Sequence, residues 1–284
     1  MRFPALASAR LTMCALGAVL FARAACAGVD GRPIQVPLRP YAQSDLRTVA
    51  VRVDGRESPF IFDTGAGDTV LTPQMIRHAG CTPFGRVIGF RATGRQVLAS
   101  RCGPVALQIG SYRVDRDVLV FDLLKLLGKA PPVGGILGLA SFDGQAVTID
   151  LAHNRLTIET ARSLARRIRT MRPINVRVTL DASGAVVPFI QVRAKTGTLW
   201  LEVDSGNNGP VFLAPHAQKQ LGISIPQHVT RPLDLDVVGL GRVPVEVASR
   251  KLIYDGQLDP AFLRQMEFTL DLAHDRAWAR MNTP

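Results

Sequence analysis

The 284-residue sequence predicts an all-β fold of two pseudo-symmetric β lobes with few short helices. Three observations lead there. A long internal repeat divides the chain, the clearest patterned stretches alternate apolar and polar residues, and 25 glycines and 19 prolines interrupt those stretches often. A period of two marks strands with one buried face. Many short strands with Gly and Pro between them favour closed or orthogonal β packing over an open parallel sheet.

The repeat is legible in three blocks. Phe60-Ile61-Phe62-Asp63-Thr64-Gly65-Ala66 is echoed by Leu201-Glu202-Val203-Asp204-Ser205-Gly206-Asn207, each reading as a short strand that ends at an aspartate. Val70-Leu71-Thr72-Pro73, followed by Gln74 to Gly80, matches Phe212-Leu213-Ala214-Pro215, followed by His216 to Gly222, after one inserted residue. Both copies predict a strand and then a short helix stopped by glycine. Ile149-Asp150-Leu151-Ala152-His153-Asn154-Arg155 recurs as Leu270-Asp271-Leu272-Ala273-His274-Asp275-Arg276, with five of seven positions identical. Asp150 and Asp271 sit beside hairpin-type turns, which assigns them to holding those turns.

Strands with period two are clearest at Thr48 to Val53, Val105 to Ile109 and Val243 to Val247, and Pro244 suits an edge strand. The predicted organisation is a signal segment over 1–27, a first unit over 33–160, an Arg-rich linker over 161–172 and a second unit over 173–284. In the signal segment, Arg2 and Arg10 precede the apolar run Leu11 to Phe21, and Ala25-Cys26-Ala27 offers small residues for cleavage. Arg23 stands where a lipoprotein signal carries an apolar residue, so cleavage and export to the periplasm or medium are expected rather than lipid attachment at Cys26. No other stretch approaches the roughly 20 apolar residues of a membrane-spanning helix.

Composition narrows the function classes. With 47% hydrophobic and 20% charged residues the chain has core material and is not of disordered type. Loss of the signal removes three arginines from the formal net charge of +11 and leaves +8. Arg162, Arg166, Arg167, Arg169 and Arg172 cluster in the linker without interleaved aromatics, which reads as a solvated helix and not as a nucleic-acid site. Cys14 and Cys26 leave with the signal. Cys81 and Cys102 remain, a pair expected to bond in an oxidising compartment, with two buried thiols as the alternative. No Cys-x-x-Cys or His-Glu-x-x-His spacing for zinc is present, so no metal or cofactor is expected.

The two Asp-Thr/Ser-Gly loops carry the chemistry. Gly65 and Gly206 permit a sharp turn and close backbone approach, while the hydroxyls of Thr64 and Ser205 are suited to bond backbone groups, including those of the partner loop. If the pseudo-two-fold brings Asp63 and Asp204 together, mutual repulsion makes them share one proton, which creates an acid and a base at once.

At these residues the chain resembles the retropepsin-like aspartic peptidases, here as a single-chain fusion of two retropepsin-sized units. The resemblance rests on Asp63-Thr64-Gly65-Ala66, on Asp204-Ser205-Gly206, and on Gly135-Ile136-Leu137-Gly138, which is similar to the segment packing beneath the catalytic loop in that family. It implies acid-protease-like β lobes, Asp63 and Asp204 as catalytic residues, and a monomer acting on a peptide or protein substrate. It also implies a hairpin flap near Val87 to Val97, with Gly89 and Gly94 forming the hairpin and Phe90 or Arg91 reaching the cleft. Two departures stand out. Asn207 occupies a position where the family carries Ser, Thr or Ala, and Gly256-Gln257-Leu258-Asp259 replaces the supporting segment in the second unit. The alternative function is a non-catalytic peptide- or protein-binding module on the same double fold.

Overall fold

The computed structural model describes residues 31–123, 127–128, 130–180 and 184–282, so the expected signal segment 1–27 lies outside the described residues. The described chain is mostly strand, arranged as two closed barrels of the same strand order and one sheet that joins them.

In the first barrel the strands run Arg47–Val53, Arg56–Phe62, Gly135–Leu137, Val70–Leu71, Tyr112–Val120 and Gln96–Ile109. Pairing of Val51 to Val53 with Ile109 to Leu107 closes it. The second barrel repeats this as Val186–Arg193, Thr198–Glu202, Gly256–Gln257, Val211–Leu213, Gly241–Ser249 and Thr230–Val237, closed by Val192 and Arg193 against Val237 and Asp236. Closure removes exposed strand edges and gives each lobe an enclosed apolar interior. Val51, Val53, Phe60 and Phe62 fill the first, and Val192, Leu201, Val203 and Val247 fill the second.

Local signals explain the helices. Pro73 opens the helix Pro73–His78, the Thr72 hydroxyl accepts from Met75 N, and Gly80 follows in the left-handed region. Its counterpart Pro215–Leu221 begins on Pro215 and is stopped by Gly222 at φ 71. Cys81, just after the first of these helices, is bonded to Cys102 in the long strand Gln96–Ile109.

Pro244 does not mark an edge strand along its whole length. Its strand, Gly241–Ser249, is paired on both sides at its far end, where Val247 to Ser249 meet Val211 to Leu213. Only the Pro244 portion lacks a second strand, and there Gln265 Nε2 donates to Pro244 O at 2.8 Å.

The repeated hairpins do not stay within their own lobes. Ala146–Asp150 pairs antiparallel with Met266–Asp271, with Thr148 opposite Thr269. The repeat makes those two threonines equivalent, so the pseudo-two-fold passes between their buried hydroxyls, which lie 2.9 Å apart. Outside this pair lie Arg155–Glu159 and Ile34–Pro40 on one side, and Arg276–Met281 and Arg172–Ile174 on the other. At each hairpin turn the repeated aspartate is held locally. Asp150 accepts from Arg155 Nη2 at 2.8 Å and Asp271 from Arg276 Nη2 at 2.6 Å, with His153 and His274 beside them. None of these four reaches the cleft.

The Arg-rich segment departs from a purely solvated linker. It forms the helix Ala161–Arg167, with a reciprocal cap between Thr160 and Ser163. Arg162, Arg166, Arg169 and Arg172 are exposed, but Arg167 turns inward. Its guanidinium bonds Glu159 Oε1 at 2.5 Å and also Glu267, one acid from each hairpin. Both glutamates are buried, so this cation neutralises charge at the lobe junction.

Among the described residues, no helix is long and apolar enough to cross a membrane.

Arg167→Ala strands Glu159 and Glu267 with less compensation, and a partner removed from a buried ion network costs about 3 kcal/mol or more. Urea unfolding at neutral pH is expected to show this loss. Arg162→Ala, on the exposed face, should stay within about 0.5 kcal/mol of wild type.

Candidate active site

The site lies where the two barrels face each other. Each Asp-Thr/Ser-Gly loop follows a core strand, and the two loops are bonded reciprocally. Thr64 N donates to Ser205 Oγ at 3.0 Å, and Ser205 N donates to Thr64 Oγ1 at 3.0 Å. Each hydroxyl then donates onward to the strand entering the opposite loop: Thr64 to Val203 O at 2.5 Å, and Ser205 to Phe62 O at 3.0 Å. Four bonds thus fasten the loops with every donor satisfied in a water-poor setting, where an unmade bond is costly.

This fastening brings Asp63 and Asp204 together. Gly65 N donates to Asp63 Oδ1 at 2.9 Å and Gly206 N to Asp204 Oδ1 at 2.7 Å. The glycines are required by space. A Cβ on Gly65 would stand 2.6 Å from Asp204 Cγ, and one on Gly206 would stand 2.3 Å from Asp63 Cγ. Each carboxylate therefore occupies the volume that a side chain on the opposite loop would fill.

The surroundings of the pair differ between lobes. In the first, Asp63 N donates to Leu137 O at 3.1 Å, and Gly138 N donates to the Thr69 hydroxyl at 3.1 Å. Gly138 permits close packing, since a Cβ there would meet Asp68 O at 2.4 Å. In the second lobe, strand register makes Gly256, Gln257 and Leu258 the counterparts of Gly135, Ile136 and Leu137, with Asp259 following where Gly138 stands. Asp259 caps the helix Pro260–Arg264 by accepting from Phe262 N at 2.8 Å. Asn207 supplies a different brace, its Nδ2 donating to Leu258 O at 3.3 Å and Pro210 O at 3.1 Å. The two departures noted in the sequence thus hold the second loop by other bonds.

Electrostatics make the pair a proton-sharing unit. Burial pushes both carboxyls up; for Asp63 this is opposed by bonds from Asp204 and the Gly65 and Ala66 amides. Asp204 is raised well above the ordinary carboxylate range, first by burial, then by the charges of Asp63 and Glu202. Two carboxyls so placed do not both ionise readily, which favours one proton held between them.

Glu202, with Tyr254 and Gln257, was not singled out as a site residue from sequence. Glu202 is 4% exposed, accepts from the Tyr254 hydroxyl, and lies two residues before Asp204, where the first lobe has Ile61. Gln257, the counterpart of Ile136, donates from Nε2 to Asp204 Oδ2. The signal was available in the repeat, as an acid and an amide aligned with apolar residues. Burial first, and then the charge of Asp63, push the Glu202 carboxyl up to about 7, against the bond from Tyr254.

Above the pair lies a cleft of about 820 Å³ lined from both lobes. Strands Phe84–Phe90 and Gln96–Ile109 form a hairpin over it, with Val87 opposite Ala99 and Gly89 opposite Val97. Gly89, Phe90 and Arg91 all border the cleft, although Phe90 is 63% exposed. At the tip, Ile253 N of the second lobe donates to Ala92 O at 2.9 Å, so the hairpin bridges the cleft. Among the described residues, no three His, Cys, Asp or Glu side chains converge to hold a metal ion.

The Glu202 shift has a sign that can be checked. Its carboxyl keeps a proton to about 7 in the folded state against an ordinary value of 4.5, so its contribution to stability is full below the lower value and is lost as pH rises through the upper one. Unfolding free energy measured by urea titration should therefore fall across that interval, by at most about 1.4 kcal/mol per pH unit from this group. Glu202→Gln should flatten the fall, leaving the same-sign contribution of the aspartate pair. An unchanged slope in the variant would show that Glu202 does not titrate there.

Comparison with known proteins agrees with this architecture. The aspartyl protease family model matches residues 49–140, which hold the Asp63 loop, the hairpin over the cleft and the Gly135 to Gly138 segment. No curated protein sequence matches the chain. Among solved structures, conglutin gamma, a basic 7S globulin from lupine seeds, is 10% identical with a TM-score of 0.57 over 89% of this chain and 95% of that one. The basic 7S globulin from soybean is 11% identical with a TM-score of 0.56 over the same shares. At such identities the likeness is one of fold. Over residues 49–140 the chain is similar to the aspartyl protease family, and across both lobes its fold is similar to those of the two globulins.

Proposed function

We propose that this protein is an exported aspartic endopeptidase that hydrolyses peptide bonds through a water activated by Asp63 and Asp204. The observation that carries this reading is the reciprocal bonding of Thr64 and Ser205, which fixes the two carboxyls face to face across the pseudo-two-fold. A pair sharing one proton supplies both halves of the reaction. The ionised carboxyl takes a proton from water held between the two, the resulting hydroxide oxygen bonds to the peptide carbonyl carbon, and the protonated carboxyl gives its proton to the carbonyl oxygen. Transfer of a proton to the amide nitrogen then accompanies breakage of the C–N bond, and no covalent enzyme intermediate forms.

An extended peptide suits the cleft, since the hairpin above it presents strand backbone for β-type pairing. Export is supported by the basic, apolar and small-residue pattern of residues 1–27, with the periplasm or the medium as destination. Both aspartates come from one chain, from lobes assigned to 33–160 and 173–284, so a monomer suffices.

A second reading, a non-catalytic peptide-binding module, is favoured by one observation: both of the solved structures compared above are named as globulins, not peptidases. The bracing of the Asp204 loop by Asn207 and of the neighbouring helix by Asp259 weighs the other way, because it keeps the carboxyl in its symmetric place.

Turnover of a mixed peptide library from acid to neutral pH separates the two readings. Wild type should cleave, and Asp63→Asn and Asp204→Asn should each lower kcat/KM by about 10²–10⁴. Peptides bound but left intact by wild type would support the binding module, and a variant as active as wild type would end the shared-proton mechanism.

A further inference from the structure

Outside the aspartate pair, Glu202 differs from the other buried carboxylates. Among the described residues, Asp150 is bonded by Arg155, Asp271 by Arg276, Glu159 by Arg167, and Glu267 by Arg167 and Arg280. Asp259 is spent on a helix cap. Glu202 is buried as deeply, yet its bonding partners are the uncharged Tyr254 hydroxyl and Gln257 amide. A buried carboxyl without a cation is expensive to ionise, which is why Glu202 keeps its proton to about 7, and a ligand cation beside it would offset that cost.

Its position says which ligand. Glu202 borders the cleft beside the aspartate pair, framed by Tyr254 and Phe189, whose rings meet edge to face with centroids 5.4 Å apart. Aromatic walls leading to an acid suit a long aliphatic stem that ends in a cation. The first-lobe side of the cleft is different in kind, since Val70, Leu119 and Ile136 line it and Ile61, the counterpart of Glu202, is packed into an apolar cluster. The cations that border the cleft, Arg86, Arg91 and Arg101, belong to the overlying hairpin, whereas the bonding partners of Glu202 are the uncharged Tyr254 and Gln257.

We infer that Glu202, Tyr254 and Phe189 form a subsite for a lysine or arginine side chain next to the bond that is cut, opposite an apolar subsite in the first lobe. This rests on the reading of the cleft as a peptide site and adds a substrate class to it: peptides with a basic residue on one side of the scissile bond and an apolar residue on the other.

The test uses hexapeptides whose central amide is replaced by a hydroxyethylene link, in three versions that carry Lys, Met or Glu at one position flanking the link. A second set varies the other flanking position. Calorimetry on wild type at a pH above 7, where Glu202 is ionised, should give about ten-fold or tighter binding of Lys over Met at one of the two positions, as expected for a charge-assisted bond. In Glu202→Gln that preference should vanish, and the Met ligand measured on both proteins reports whether the variant keeps a folded cleft. Equal or tighter binding of Met at both positions, tightest binding of Glu through the hairpin arginines, or a Lys preference that survives in the variant would each overturn the inference. Absence of binding by all six would overturn it together with the peptide-site reading. Turnover of the matching cleavable peptides separates the two ideas: a Lys preference in binding without cleavage removes the peptidase and leaves the subsite, and cleavage without the preference does the reverse.

Discussion

The exchange of hydroxyl and amide bonds between Thr64 and Ser205 is the constraint on which the rest of the molecule depends. Two aspartates repel each other, and burying both raises the cost, so nothing intrinsic to them draws them together. They are held by backbone. Each loop is pinned at one end by a strand of its own barrel and at the other by a side chain of its partner, and the two glycines give up the volume that the opposing carboxyls take. The joining sheet sustains this, because Thr148 and Thr269 place the same pseudo-two-fold axis through the sheet that joins the lobes. Arg167 ties the two hairpins that flank it by neutralising one buried glutamate from each.

That symmetry is kept where the loops meet and relaxed around them. The first lobe supports its loop through glycine packing and the Thr69 hydroxyl, and the second through Asn207, Gln257 and a capped helix. The consequence is electrical. Asp204 receives the Gln257 amide, whose first-lobe counterpart is the apolar Ile136, and sits beside the Glu202 charge, so the two carboxyls are unequal before any substrate arrives. Inequality of this kind favours the shared proton on one partner, and it makes the two halves of the cleft chemically distinct.

Much of this was legible in the sequence because it was written twice. The repeat located both aspartate loops, both strand-to-helix blocks and both hairpins, and the period of two with frequent Gly and Pro pointed to closed β packing. What escaped was the set of contacts between copies. Pairing of Ala146–Asp150 with Met266–Asp271 depends on register between distant segments, which no local pattern encodes. Arg167 looked like its exposed neighbours, since a run of arginines does not reveal which one turns inward. Pro244 suggested an edge because a proline marks only its own missing donor, whereas the strand gains its second partner three residues later. Glu202 was visible as an acid aligned with Ile61, but its meaning required Tyr254 and Gln257, which the fold brings from more than fifty residues away.

The central claim is that one proton is held between Asp63 and Asp204. Carbon-13 NMR of protein labelled at the aspartate side-chain carboxyl carbons reads it directly, with the two signals assigned by loss in Asp63→Asn and Asp204→Asn and with Glu202 silent because it is unlabelled. The account predicts two separated titrations for the pair, one of them well above the ordinary carboxylate range. Two signals that titrate together at the ordinary value for aspartate, about 3.9, would contradict it.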